Sequence, residues 1–211
     1  MPKITAIEPQ KRDPERVNVY IDGEFAFGAS ILVVVSRGLA IEQDISQEFL
    51  EELKEDDLAE RSYGAALNFL SFRPRSRREV QDYFRRRKID TEIGDRVIAR
   101  LEHNGFLDDR EFARFWVENR QSFRPRGTRA LRAELRQKGL DSEIVEEALG
   151  DIGDEDVIAR EAGLKKLRSF ADLDEREFFR RMVGFLQRRG FPYQVSARVS
   201  KELWEESRGA S

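Results

Sequence analysis

The stretch SFRPRSRREVQDYFRRRKIDTEIGDRVIARL, residues 71–101, sets the structural period of this chain. Its first five residues, Ser71–Arg75, recur unchanged at Ser122–Arg126, and we call this spacing, 122 − 71 = 51 residues, the repeat period. A shift of the sequence by one repeat period aligns six apolar positions across three copies. The aligned residues are Val80, Leu131 and Met182; Phe84, Leu135 and Leu186; Ile89, Leu140 and Phe191; Ile93, Ile144 and Val195; Val97, Ala148 and Val199; and Leu101, Ile152 and Leu203. Because intervals of four residues mark one face of a helix, the pattern predicts three tandem helical repeats.

Each predicted repeat contains three helices separated by residues that cap or stop helices. In the first repeat, Ser76 and Glu79 have capping-box spacing, and Asn104-Gly105 is a helix stop. Such small units bury their apolar faces by stacking on neighbours. We therefore predict a mainly α protein whose tandem three-helix repeats form an elongated curved array, with a small N-terminal β-rich cap. The predicted ranges are the β-rich cap at 1–45, an acidic linker helix at 46–61, repeats at 62–107, 108–153 and 154–206, and a tail at 207–211.

The N-terminal cap carries the sequence signal of a β-hairpin. Apolar residues alternate on both sides of Asp22-Gly23 in RVNVYIDGEFAFGAS, and an Asp-Gly pair favours a tight two-residue turn. The segment KITAIEP is a candidate third strand. The apolar segment SILVVVSRGL fits either a helix or a strand, since it is too short for periodicity to decide.

The charges are distributed in blocks that the near-neutral total of the chain conceals. Residues 61–140 contain 20 Lys and Arg against 11 Asp and Glu, whereas residues 41–60 contain one Lys and nine Asp or Glu. Residues 141–175 are again acidic, with four basic and 12 acidic residues. A basic middle between acidic flanks favours a phosphate-bearing or acidic partner, although a solvated helical surface would also explain it.

The composition argues against an enzyme. The chain has no Cys, and its single histidine, His103, lies at a predicted helix end where a positive charge suits the helix dipole. Asp108 and Asp109 precede a helix, where adjacent carboxylates are helix caps far more often than metal ligands. We therefore predict a binding protein with no catalytic residue, metal site or cofactor. With no apolar run of about 18 residues, we expect a cytoplasmic monomer without a membrane partner.

The repeated pentapeptide is predicted to combine a structural role with a binding role. Pro74 and Pro125 fit a helix break, and Phe72 and Phe123 are expected to fill the junction between helices. The equivalent stretch of the third repeat, LDERE from Leu173, loses the proline and becomes acidic. A purely structural motif would have no need of this change, which predicts a basic ridge on the first two repeats. The candidate binding residues are Arg73, Arg75, Arg77, Arg78, Arg85, Arg86, Arg87, Lys88, Arg124, Arg126, Arg129, Arg132, Arg136 and Lys138.

Three functions remain open from the residues alone. Guanidinium groups bind both carboxylates and phosphates, so the ridge fits the acidic face of a partner protein or the backbone of a nucleic acid. A steep salt dependence with bare DNA would identify the second. Base-specific reading is not indicated, because no helix carries a distinct pattern of base-reading side chains. The third possibility is a scaffold that docks through the N-terminal cap.

Several segments in combination resemble the RecX regulatory family. They are VNVYIDGEFAFG, ALNFLSFRPRSRREVQDYFRRRKID, VIARLEHNGFLDDREFARFWVENR and FRPRGTRALRAELRQKGLDSEIVEEAL, and the resemblance extends from about Ile4 to Trp204. It implies a cytoplasmic modulator of recombination and DNA repair that binds the RecA–DNA filament. It further implies inhibition of the recombinase ATPase and of strand exchange, with single- or double-stranded DNA as a further partner. The arginines of both pentapeptides and of the helices after them are the implied contacts.

One position departs from the family pattern, and one experiment follows from the ridge. Lys88 stands where the family often has Gly, so the turn after that helix is expected to be less tight or to have an Asn-like C-cap. Charge reversal at Arg124 and Arg126 is expected to weaken filament binding and to leave the helical fold intact.

Overall fold

The N-terminal part of the chain is a three-stranded antiparallel sheet, as the sequence predicts. In the computed structural model, which describes residues 2–150 and 152–209, the strands are β1 (Ile4–Pro9), β2 (Arg16–Ile21) and β3 (Glu24–Ser30), in spatial order β1-β2-β3. The turn residues Asp22 and Gly23 both have positive φ, 49° and 85°, as a type I′ hairpin requires. The ambiguous apolar segment is a helix, α1 (Ile31–Ser36), because the Ser30 side chain caps it by accepting from the Val33 amide.

All regular structure after α1 is helical. The helices are α2 (Gln47–Ser71), α3 (Arg77–Arg86), α4 (Thr91–His103), α5 (Asp109–Phe123), α6 (Thr128–Gln137), α7 (Ser142–Gly150), α8 (Glu155–Leu167), α9 (Glu175–Arg188) and α10 (Tyr193–Gly209), with a 3₁₀ turn at Arg168–Phe170. The mainly α fold with a small β-rich N-terminal segment is therefore confirmed. The predicted domain boundaries and the elongated shape stay predictions. Helix α2 is continuous across residues 61 and 62.

The chain divides into two compact units. Unit 1 comprises residues 1–73 and 80–107, and unit 2 comprises residues 74–79 together with the chain from residue 108 onward. In unit 1, one apolar cluster lies between the sheet, α1 and the start of α2, and a second joins α2, α3 and α4. In unit 2, one cluster joins α5, α6 and α7, and another joins α8, α9 and α10. The core is therefore built from successive helical trios.

The periodic apolar positions provide much of these cores. Val80, Leu131 and Met182, which the repeat period aligns, are each fully buried. In the aligned set Leu101, Ile152 and Leu203, the first and last residues are fully buried and Ile152 is half-buried. The period read from the sequence is thus the period of core packing.

A buried ion pair joins the sheet to α2 inside unit 1, and sequence reasoning missed it. Both oxygens of Asp57 accept from the Arg16 guanidinium, at 2.9 and 2.8 Å, and the Ser30 amide donates to Oδ1 of the same carboxylate at 2.9 Å. Asp57 is only 5% exposed, although it lies in the segment predicted to be an acidic linker helix. Bidentate pairing and the Ser30 amide offset the cost of burying this carboxylate.

The second helix of each repeat ends in the same left-handed residue. Lys88, Gly139 and Gly190 are spaced by one repeat period and have φ of 57°, 85° and 91°. Lys88 therefore adopts the left-handed conformation that Asn also takes at helix ends, which confirms the expected Asn-like C-cap, whereas the alternative of a less tight turn is wrong. A non-glycine residue in this conformation is strained by about 1 kcal/mol.

Candidate functional site

The residues that follow the first pentapeptide pack on the end of α6 inside unit 2. The Ser76 side chain donates to the Lys138 carbonyl at 2.8 Å and accepts from the Glu79 amide at 3.2 Å, which confirms the predicted capping role of Ser76. Glu79 also binds the Lys138 ammonium at 2.7 Å. A Cβ atom at Gly139 would lie 2.5 Å from Arg78 Cδ, so only glycine fits there. We call this contact of residues 74–79 with Lys138 and Gly139 the Ser76 joint.

The second pentapeptide forms the equivalent contact one repeat period later. The Gly127 amide donates to the Arg189 carbonyl at 3.0 Å, and Arg189 Nη1 donates to the Pro125 carbonyl at 3.3 Å. A Cβ at Gly190 would lie 2.4 Å from the Ala130 Cβ. We call this contact of residues 125–130 with Arg189 and Gly190 the Gly127 joint. The prolines thus interrupt the helices where a short extended segment meets the left-handed cap of the next trio.

The third repeat has no such segment. Its counterpart residues continue α9 toward the N-terminus by about one turn, and Asp174 caps that turn by accepting from the Glu177 amide at 2.9 Å. Glu177 binds Arg180 and Arg181, and these hydrogen bonds lower its pKa to about 2. The sequence change from SFRPR to LDERE therefore accompanies a change from an extended joint to a helix start.

The predicted basic residues fall into an exposed and a half-buried group. Those with exposed side chains are Arg78, Arg85, Arg86, Arg87, Lys88, Arg124, Arg129 and Arg136. Those that are half-buried are Arg73, Arg75, Arg77, Arg126, Arg132 and Lys138. Because a half-buried cation is normally engaged by its own fold, only the first group is available at little cost to a partner.

Three half-buried cations of the second repeat are held by carboxylates. Arg126 binds Glu134 at 2.6 Å. Arg132 binds both oxygens of Glu146 at 2.7 Å, and this pairing lowers the pKa of the Glu146 carboxyl. The third is Lys138 of the Ser76 joint. Because reversal of Arg126 would place two carboxylates together, we now expect that substitution to destabilise the α5–α6 pair as well as to weaken binding.

Glu134 is the centre of a polar cluster that sequence reasoning missed. Besides Arg126, it accepts from Trp116 Nε1 at 2.8 Å and from Arg120 Nε at 2.8 Å. The Arg120 guanidinium also lies over the Trp116 ring, 4.2 Å from its centroid. Arg126 is therefore a structural residue of the α5–α6 pair as well as a member of the pentapeptide.

Three arginines of the second repeat remain available for binding. Arg124, Arg129 and Arg136 are exposed, and none has a carboxylate partner within residues 2–150 and 152–209. Their counterparts in the third repeat are Glu175, Arg180 and Gln187, a set that contains one cation instead of three. At these three aligned positions, the second repeat therefore exposes more positive charge than the third.

The two phenylalanines of the pentapeptides do not fill the junctions. Phe72 is 76% exposed and Phe123 is 73% exposed, so the prediction that they plug a gap is wrong. Each ends a long helix, because Phe72 is the C-cap of α2 and Phe123 is the last residue of α5. At this point the chain must leave the helix toward the proline, which directs the ring to solvent instead of the core.

Arg189 is a functional candidate that sequence reasoning did not select. It is half-buried, its Nη1 lies on the Pro125 carbonyl, and its guanidinium lies 4.9 Å from the Phe185 ring centroid. Burial, together with the charges of Arg124 and Arg126, lowers the pKa of Arg189. The available signal was the repeat period, which aligns Arg189 with Lys138.

Other kinds of site are not found in the part of the chain that the structure describes. Among residues 2–150 and 152–209, no group of three or more potential metal ligands converges. Within the same residues, no helix has both the length and the apolar character needed to span a bilayer.

Four family models together match most of the chain. They are described as the regulatory protein RecX N-terminal domain, residues 2–46, and the first, second and third three-helix domains of RecX, residues 63–101, 108–149 and 154–199. Each three-helix match lies within one helical trio of the structure.

Relatives and solved structures agree with these matches. The regulatory protein RecX of Bacillus subtilis is 32% identical over 210 residues, which are 98% of this chain and 79% of the relative. That of Bacillus licheniformis is 31% identical over 213 residues, 100% of this chain and 81% of the relative. A crystal structure of a regulatory protein RecX superposes with a TM-score of 0.80 at 23% identity, covering 95% of this chain and 100% of the other. RecX from Lactobacillus salivarius superposes with a TM-score of 0.59 at 26% identity, covering 69% and 96%.

Proposed function

This chain belongs to the RecX regulatory family, and we propose that it binds the RecA–DNA filament and inhibits the recombinase ATPase and strand exchange. The observation that carries the proposal is the set of exposed arginines without carboxylate partners on the second repeat, Arg124, Arg129 and Arg136. A filament repeats the same acidic protein surface and phosphates along its length. A protein with several exposed basic residues can make more than one of these contacts and gain affinity from linked weak contacts.

The physical basis of inhibition is preferential binding of one filament state. A protein that contacts neighbouring subunits lowers the free energy of whichever spacing fits its own repeat. If that spacing differs from the one that supports ATP hydrolysis, binding shifts the filament away from the active state. Affinity and inhibition should therefore decline together when the exposed arginines are reversed.

The test is a titration of RecA ATPase on single-stranded DNA with the R124E/R129E/R136E variant. The half-inhibitory concentration is expected to rise about 10- to 100-fold, because three attractive charges become repulsive at a charged interface. The matched control is R176E/R180E/R188E on α9, which changes the net charge equally and should inhibit within about threefold of the wild type. Equal inhibition by the R124E/R129E/R136E variant and the wild type would exclude these arginines as the contact.

A further inference from the structure

The ring of Phe123 is 73% exposed at the end of α5, in a segment whose backbone carbonyls accept hydrogen bonds from two cations. Arg124 follows it directly and is exposed. Lys165 donates to the Ser122 carbonyl at 3.2 Å, and Arg189 donates to the Pro125 carbonyl at 3.3 Å, so both cations lie beside the residues that flank the ring.

The positive charge around Phe123 is only partly neutralised. The carboxylate of Glu134 reaches this cluster, but it already binds Arg120 and Arg126. Neither Arg124 nor Arg189 has a carboxylate partner in the described residues, and burial together with the charge of Arg124 lowers the pKa of Arg189. The geometry therefore favours an anionic ligand that also offers a flat apolar face.

We propose that Phe123, Arg124 and Arg189 form a binding site for one nucleotide unit of a single-stranded nucleic acid. The ring stacks on the base, and the guanidinium groups of Arg124 and Arg189 bind the neighbouring phosphate. Stacking on an aromatic side chain and backbone contacts to arginine are the two components of single-strand binding, and they need no particular sequence. The absence of a base-reading helix agrees with such a site.

The alternative ligands fit less well. In a duplex the bases stack on one another, so a ring on the protein surface reaches them only after unstacking. An apolar anchor for a protein partner normally lies in a contiguous apolar centre with charges at the rim. Phe123 is instead followed by the exposed Arg124, and Arg189 bonds to the Pro125 carbonyl two residues on, which suits a phosphate backbone better.

The first pentapeptide carries the same pair of residue types in a less available form. Phe72 is 76% exposed, but the arginine that follows it, Arg73, is half-buried. The third repeat has Asp174 at the aromatic position, where the side chain caps α9. We therefore expect the contribution to binding to fall from Phe123 to Phe72 and to vanish in the third repeat.

The experiment compares two labelled oligomers by fluorescence anisotropy, without recombinase. One is oligothymidylate, and the other has the same backbone with abasic sites. Wild type is expected to bind the abasic oligomer about 5- to 150-fold more weakly, the range for one stacked base. The F123A variant should bind both oligomers nearly alike, and F123W should restore the difference. The double variant F72A/F123A should remove any remaining difference in affinity between the two oligomers.

Two controls separate stacking from charge and from folding. F25A removes a ring that is 59% exposed on the N-terminal hairpin and should bind both oligomers like the wild type. R124Q should weaken binding to both oligomers equally and reduce the slope of log affinity against log salt by about one. Thermal melts of F123A should match the wild type, since the ring is exposed.

The proposal is overturned if wild type binds neither oligomer, or if F123A keeps the full difference between them. It is also overturned if F123A binds both oligomers like the wild type and loses only ATPase inhibition, because Phe123 would then be a protein contact. The anisotropy measurement involves no filament, so its outcome is independent of the proposed regulatory function.

Discussion

The Ser76 joint and the Gly127 joint place the same contact one repeat period apart and build it with different atoms. In the first, the Ser76 hydroxyl donates to the Lys138 carbonyl; in the second, the Gly127 amide donates to the Arg189 carbonyl. The Gly127 joint is the closer of the two, because a Cβ at Gly127 would lie 2.6 Å from the Gly190 oxygen. The repeat period therefore determines which two chain segments meet. The distance between their backbones determines whether serine or only glycine fits at the contact.

The interiors of the first and second repeats differ in the same way. Phe69 and Tyr83 stack in the first repeat with ring centroids 4.4 Å apart. The positions one repeat period later are Arg120 and Glu134, which form an ion pair at 2.8 Å. An aromatic pair in the first repeat and an ion pair of similar size in the second therefore occupy equivalent positions. Either pair can fill the space between the first and second helices of a repeat.

The largest expected effect comes from giving the Gly127 joint the residue of the Ser76 joint. G127S places a Cβ against the Gly190 backbone, which cannot move without breaking the left-handed cap of α9. We expect a loss of about 3 kcal/mol in the free energy of unfolding, measured by urea denaturation.

G153S provides the control for the serine itself, since a Cβ at Gly153 meets no atom within 4 Å. It should change stability by less than about 0.5 kcal/mol. If G127S were as stable as G153S, the closer approach at the Gly127 joint would not exist.

A smaller effect is expected from exchanging the two interior pairs. E134Y leaves Arg120, Arg126 and the Trp116 indole without their acceptor, at a cost of about 2–3 kcal/mol. The double variant R120F/E134Y recreates the stack of Phe69 and Tyr83 and should recover about 1 kcal/mol of that loss. A double-mutant cycle from chemical denaturation measures the coupling, and strict additivity would refute the equivalence of the two pairs.

The left-handed position after α3 holds Lys88, where the second and third repeats have glycine. A Cβ at Gly139 or Gly190 would collide with the preceding joint segment, whereas Lys88 is exposed and strained only by its φ of 57°. K88G should therefore stabilise the protein by about 0.5–1 kcal/mol. A thermal melt measures this change, for which K88A is the control because alanine keeps the strain. A destabilised K88G would mean that the lysine side chain makes a contact of its own.

The smallest effect concerns Glu177, which replaces the pentapeptide arginines Arg75 and Arg126 in the third repeat. Hydrogen bonds from Arg180 and Arg181 hold the pKa of Glu177 at about 2, below its ordinary value. A depressed pKa means that the stabilisation is present above the unfolded pKa of about 4.3 and is lost as the pH falls toward 2. An NMR titration should show Glu177 as one of the last carboxyl groups to protonate, and R180Q/R181Q should return its pKa toward the ordinary value.

The sequence predicted the fold well because core packing and helix ends leave local signals. The Ser76 cap and the Asp22-Gly23 hairpin each depend on residues close in the chain, and the repeat period displays the same local pattern three times. The ion pair of Arg16 with Asp57 was not predictable, because its partners are separated by 41 residues and nothing local distinguishes Asp57 from its acidic neighbours.

The candidate site was predicted less completely. The sequence singled out the pentapeptides, but it could not separate Arg126, which Glu134 holds, from Arg124, which is exposed. It also assigned Phe72 and Phe123 to the interior, since apolar residues beside a proline usually pack. Whether a side chain faces its own fold or the solvent depends on the exit direction of the chain from the helix, and no short motif encodes that direction.

The joints also give the tandem arrangement a polarity with two different ends. Each extended segment donates to the left-handed cap of the following trio, so the caps at Gly139 and Gly190 are acceptors and residues 74–79 and 125–130 are donors. The corresponding cap position of the first trio is the exposed Lys88, and the added turn of α9 replaces the extended segment in the third trio. A donor segment and a glycine acceptor cap therefore occur together only in the second trio of the described residues.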